Sequence, residues 1–219
     1  MSKISSFDIE RYKKYRLDNK IKPGTINRDL AALSHLLNKA VEWKWLDHKP
    51  CHIKRLKEDK GRIIYLTTEQ IKKLIDAAKQ DECPYIYPFI VIGLETAMRR
   101  MEILSIKLED ICLEKQVIYI PKAKAGAREQ PITEHLTQFL KYYIENSATN
   151  QAWLFPSKRS ASQHIMNIEK QFRRVVARAG LNPKEVVRHT LRHTAITHLV
   201  QAGIDLPTVH LSGSPMRLR

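Results

Sequence analysis

Three observations predict a predominantly α-helical α+β protein. Over most of the chain apolar residues recur at intervals of three and four, the period of a helix with one buried face. From about residue 106 to residue 132 that period gives way to two short runs, one rich in Val, Ile and Tyr, around a Lys/Ala/Gly stretch. A basic segment with no apolar period, residues 49 to 63, parts a short helical region from a longer one. The expected order is a small helical unit over residues 1–50, a basic linker over 51–63, and a larger mixed domain over 64–219 holding one small antiparallel β-sheet.

The elements follow in chain order. "FDIERYKKYRLDN", residues 7 to 19, reads as a short basic helix that Pro23-Gly24 ends. "TINRDLAALSHLLNKAVEWKWL" places Ile26, Leu30, Leu33, Leu37, Ala40 and Val41 on one stripe. Arg28, His35 and Lys39 fall off it, either facing DNA or forming a solvated face. A two-helix unit of about 45 residues buries little core by itself. Thr67 to Gln70 fits a capping box that starts "TTEQIKKLIDAAKQ". One helix is predicted from Pro84 through "PYIYPFIVIGLETAMRRMEILSI", apolar through Leu94 and therefore core. Strands are predicted at Gln116 to Ile120 and Arg128 to Ile132, with a hairpin loop over 121–127. Helices resume at Thr133 to Glu145, at Ile165 to Ala179 with Gly180 as the stop, and from about Thr190.

Composition narrows the function classes. Lys and Arg total 38 against 23 Asp and Glu, a net charge of +15, which favours polyanionic partners and suits nucleic acid. No apolar run reaches the roughly 18 residues a membrane helix needs, and the first residues lack a secretory apolar core. Cys51, Cys83 and Cys112 are odd in number and far apart, so neither a disulfide framework nor a metal clip is expected. The expected compartment is the cytoplasm, with no membrane association.

The chemistry-bearing residues crowd into "VVRHTLRHTAITHLV", where Arg188, His189, Arg192, His193 and His198 lie within eleven positions. His189 and His193 are four apart and share a helix face, but Thr190 sits where a zinc protease needs its glutamate. A phosphate site fits better, and neither a metal nor another cofactor is expected. His189 and Arg192 also share a face, and a guanidinium fork binds two phosphate oxygens at once. "ETAMRRMEIL" supplies Arg99 with Glu102 three residues on, a pair that suits a plain salt bridge as well as a functional arginine. In the hairpin, Lys124 and Lys122 read alone are exposed turn lysines or long amines within reach of a substrate.

Together "TAMRRMEIL", "KAKAGAREQPI" and "RHTLRHTAITHLVQAGIDLPTV" resemble the arginine, hairpin-lysine and His-x-x-Arg boxes of the tyrosine recombinase (phage integrase) family. "KPGTINRDLAALSHLLNKAVEWKWL" resembles the end of that family's helical core-binding domain. The resemblance implies a core-binding domain followed by a catalytic domain, double-stranded DNA as partner, and no cofactor. It implies catalytic roles for Arg99, Lys124 (or Lys122), His189 and Arg192, with Glu102 bracing Arg99 and His193 packing or hydrogen-bonding within its helix. In the family a tyrosine hydroxyl attacks a DNA phosphate, giving a phosphotyrosine and a free 5′-hydroxyl; a second hydroxyl reverses the step. Fixed guanidinium groups stabilise the charge that builds on the phosphoryl oxygens, and lysine protonates the leaving oxygen.

The chain also departs from the family. After "IDLPTV" it reads "HLSGSPMRLR", with Ser214 near the expected position of the family's second histidine. Its eight tyrosines, residues 12, 15, 65, 85, 87, 119, 142 and 143, all precede the His-x-x-Arg box. The resemblance therefore implies a recombinase truncated before its nucleophile, one that binds DNA with little or no cleavage. A homo-oligomer on DNA is expected to be weakened by the same loss. Three other readings compete: a non-catalytic DNA-binding remnant, a metal-dependent nuclease and a basic protein–protein module.

Overall fold

The computed structural model describes residues 4–58, 63–122, 126–146 and 151–203. The chain divides into two compact units, Met1–Arg62 and Ile63–Arg219. Lys124 and the residues after Gly203 lie outside the described residues.

The first unit contains helices α1 (Ser6–Asp18) and α2 (Pro23–Glu42). Ser5 caps α1 reciprocally: its hydroxyl accepts the Asp8 N–H, and the Asp8 carboxylate accepts the Ser5 N–H. Pro23 opens α2 at a position where its missing N–H costs nothing. Ile26, Leu30, Leu37 and Ala40 of the predicted stripe are buried, whereas Leu33 and Val41 are half-buried. Arg28 and His35 are exposed, and Lys39 pairs with Glu42 at 2.8 Å. Asp29 holds the two helices together by accepting from Tyr12 Oη at 2.7 Å and Arg16 Nη2 at 3.0 Å.

The basic segment expected as a linker does not run free over its first part. Ile53 and Leu56 pack on the Ile9–Ile26–Leu30 cluster. Asn27 Oδ1 accepts the Leu56 N–H at 2.8 Å while Asn27 Nδ2 donates to the Leu56 carbonyl at 2.9 Å. Gly24 leaves room for Glu58, whose Oε2 would lie 2.9 Å from an added Cβ. A small helical unit with a scant core thus gains apolar cover from the segment that follows it.

The second unit begins with α3 (Thr68–Lys79), α4 (Ile86–Thr96) and α5 (Arg100–Leu104). A short 3-10 turn (Leu108–Asp110) leads to β1 (Ile111–Cys112), β2 (Val117–Ile120) and β3 (Arg128–Pro131). Then come α6 (Glu134–Glu145), α7 (Glu169–Arg178) and α8 (Arg188–Gln201). Thr67 and Gln70 form the predicted capping box on α3. Gly180, at φ +71°, follows α7 as the predicted stop, but α7 starts at Glu169 and not at Ile165, whose N–H instead bonds the Phe155 carbonyl at 2.8 Å. The sheet has the order β1-β2-β3, antiparallel throughout, with Ile111 opposite Ile118 and Ile120 opposite Arg128. Alternation along β2 sends Ile118 and Ile120 into the core and Tyr119 outward.

Helix α4 is the centre of this core, with Ile86, Phe89, Ile90, Val91, Ile92 and Gly93 all buried. Gly93 lets α8 approach closely: a Cβ there would sit 3.1 Å from Leu191 Cδ1. Thr194 fixes α8 in register with the chain before α3 by accepting the Leu66 N–H at 2.9 Å and donating to Thr190 O at 2.7 Å. His198 Nε2 meets the Leu66 carbonyl at 3.0 Å and so carries the proton. Asp81 anchors α7 to the end of α3, taking Arg174 Nε at 2.8 Å and Nη2 at 2.7 Å.

The single helix predicted from Pro84 is in fact two. Ala97 adopts the left-handed region at φ +52° and ends α4. Thr96 Oγ1 donates back to Ile92 O at 2.6 Å and accepts the Met98 N–H at 3.3 Å, replacing helical bonds at the break. Among the described residues no helix is long and apolar enough to cross a membrane.

Candidate active site

The break after α4 sets the position of Arg99. Arg99 is the N-cap of α5, and Glu102 is the third residue of that helix. The Glu102 carboxylate accepts the Arg99 N–H and Arg99 Nη1, each at 3.0 Å. One side chain therefore caps the helix and fixes the guanidinium.

Glu102 is buried, its side chain 5% exposed, and has a second arginine partner. Arg128, first residue of β3, reaches across with Nη1 at 3.3 Å and Nη2 at 3.0 Å. Burial alone pushes the Glu102 pKa up. The hydrogen bond from Arg128, the Arg99 N–H, the charge of Arg128 and the Arg99 side chain outweigh it, leaving the carboxyl below its ordinary value. An ionised Glu102 thus ties the hairpin to the arginine. The sequence reading gave Glu102 its bracing role and missed Arg128. The signal was present in β alternation: Arg128 shares the inward face with Gln130, which is buried.

Arg192 comes to the same place from the second turn of α8. Its Nη1 donates to the Ala97 carbonyl, freed by the break at the end of α4. Its pKa lies below the usual arginine value, first through burial and then through the charges of Arg99 and Arg128, partly offset by Glu102. Three cations therefore gather around a single carboxylate, and their repulsion adds to the burial that lowers the Arg192 pKa. An entering anion would relieve it.

His189 stands one turn earlier on α8 and keeps an exposed ring at the rim. Partial desolvation, then the charges of His193, Arg188, Arg192 and Arg100, hold its pKa below the ordinary histidine value. A neutral imidazole near neutral pH can accept or donate a proton. His193, expected to pack or to hydrogen-bond within the helix, instead is exposed, because it lies on the outer face of α8. His198 is spent on Leu66, and among the described residues no three His, Cys, Asp or Glu side chains are placed to hold a metal ion. Lys122 is exposed beside β2, while Lys124 falls outside the described residues.

The mainly helical unit with its small antiparallel sheet thus gathers Arg99, Arg128 and Arg192 at one place. The chain belongs to the phage integrase family, that of the tyrosine recombinases, whose profile matches residues 64–212. It is 29% identical over 213 residues to the shufflon-specific DNA recombinase of Escherichia coli, covering 93% of this chain and 52% of that protein. It is 30% identical over 149 residues to the tyrosine recombinase XerA of Pyrococcus furiosus, covering 64% and 49%. The chain thus spans about half the length of these two curated relatives. In structure it is similar to the Tn1549 transposon integrase solved with circular intermediate DNA, with a TM-score of 0.80 and 20% identity over 96% of this chain and 77% of that one. The XerH site-specific recombinase bound to its difH substrate gives a TM-score of 0.71 at 21% identity, over 97% and 64%. These structural likenesses establish the fold.

Proposed function

We propose that this polypeptide binds duplex DNA and holds one backbone phosphate between Arg99 and Arg192, the seat from which tyrosine recombinases cut and rejoin strands. The observation that carries this reading is the convergence of two anchored guanidiniums. Arg99 is fixed by Glu102, and Arg192 by the Ala97 carbonyl, with the two charges close enough to oppose one another. Preorganised donors of this kind are worth most where charge builds on phosphoryl oxygens. The relatives named as recombinases and the DNA-bound structural neighbours support the same reading.

In the proposed chemistry His189 moves a proton at the phosphate, and Lys124, or Lys122, protonates the leaving 5′-oxygen. The attacking group of the family is a tyrosine, and no tyrosine follows Arg192 within the 219 residues.

Fluorescence anisotropy with a labelled duplex tests the seat. Arg99→Gln and Arg192→Gln should each weaken binding and lower the slope of log affinity against log salt by about one, the signature of a lost phosphate contact. Unchanged affinity and slope in both variants would sink the reading.

A further inference from the structure

Beside Arg192, a cavity of about 140 Å³ adds further cations to those already described. Its floor is apolar, made by Phe89, Gly93 and Leu191 among others, and its polar walls are Arg100, Arg188, His189 and Arg192. Arg99 does not line it. Arg100 comes from the first turn of α5, whereas Arg188 and His189 are the first two residues of α8.

This arrangement is short of negative charge. Helix α8 has no acidic residue in its first turn and no side-chain cap, although two basic residues stand at its positive end. Glu169 is shared between Arg188 Nη2 and Arg173 Nε, the latter at 2.8 Å. Arg188 Nη1 is buried and without a hydrogen-bond partner among the described residues. Arg100 makes no ion pair among the described residues. A buried guanidinium N–H left unmatched is costly, and an oxyanion is the partner that its fork geometry fits. The depressed pKa of His189, due after desolvation to His193, Arg188, Arg192 and Arg100, points to the same uncompensated field.

We infer that Arg100 and Arg188 form a second phosphate seat, which takes a non-reacting backbone phosphate next to the one held by Arg99 and Arg192. This rests on the proposed DNA-binding reading and extends it. The second seat fixes the register of the strand, so that one phosphate, and not its neighbour, meets Arg99 and Arg192. Arg188 needs Glu169 to hold its head in place, which makes Glu169 a positioning residue for the seat.

The test measures the affinity of a fluorescein-labelled duplex across a potassium chloride series for the unaltered chain, Arg100→Gln, Arg100→Lys, Arg192→Gln and the R100Q/R192Q double variant, and the melting shift of each with inorganic phosphate. Circular dichroism melts verify that each variant is folded. The expected result is that R100Q lowers the salt slope by about one, with R100K returning most of it. R192Q should lower the slope by a similar amount, and the double variant by about two. If R100Q keeps the full slope while R192Q loses part of it, the second seat is wrong and the primary seat stands. If neither variant moves the slope, the DNA-binding reading of the whole site falls. If R100Q abolishes the melting shift caused by inorganic phosphate but leaves the duplex slope intact, the cavity takes a free anion, and the DNA contact is overturned.

Discussion

Glu102 joins the parts of the site, because its one buried carboxylate meets Arg99 on α5 and Arg128 on β3. Removing one member of a buried ion group leaves its partners uncompensated, at a cost of about 3 kcal/mol. Glu102→Gln should therefore lower unfolding free energy in urea by about that amount, and a loss well under about 1 kcal/mol would contradict the pairing. Its folded pKa lies below its unfolded one, so the stabilisation is present above the unfolded value and lost as pH falls through the folded value. E102Q should flatten that acid limb. His189 makes the opposite kind of contribution to binding. Its pKa is depressed in the free chain, and a phosphate nearby raises it, so DNA binding takes up a proton. Affinity should rise as pH falls through the bound-state value and level off below the free-state value, and His189→Gln should remove that dependence. The Arg99–Glu102 pairing was legible from a spacing of three, whereas the roles given to Arg99, His189 and Arg192 came from the resemblance of the boxes that hold them. Arg128 alternates inward with Gln130 but was missed, because its partner Glu102 lies 26 residues away on another element and no local spacing links the two. His193 was misplaced because, four positions from His189, it shares the exposed side of α8, where it has no packing surface to cover it.

The elements that carry these residues are placed by local rules. Thr67 caps α3 reciprocally with Gln70, and both were readable from a four-residue pattern. Thr67→Ala should cost about 1 kcal/mol in thermal or urea unfolding and leave DNA affinity of the folded chain unchanged. The break at Ala97 was not readable, because "ETAMRRMEIL" contains neither Pro nor Gly and its apolar period runs on without interruption. Only the backbone shows that Thr96 turns its hydroxyl inward and that the freed Ala97 carbonyl becomes the anchor of Arg192. Gly93 belongs to the same junction, since it sets how near α8 lies to α4. Gly93→Val must push Leu191 aside, at about 1–3 kcal/mol, and should weaken DNA binding as well, because Leu191 lies between His189 and Arg192. A variant that lost stability yet bound DNA with full affinity would show that α8 need not be held at this distance.

At the scale of the whole chain, the predominantly helical α+β class and the small antiparallel sheet were legible from the change of hydrophobic period. The boundary between units was less so. Residues 53 and 56 read as parts of a basic linker because Lys and Arg dominate around them, but their apolar side chains cover the first unit. A net charge of +15 on 219 residues suits a partner contacted over many phosphates, and the arginine seat gives that attraction a point of convergence. All of these readings rest on Arg99 and Arg192 holding a DNA phosphate. The most direct measurement titrates the chain against a labelled duplex carrying a recombination site of one of its relatives, and runs each sample on native gels. A retarded complex is expected, formed at higher protein concentration by R192Q and by R99Q. Equal retardation by the unaltered chain and by both variants would contradict it.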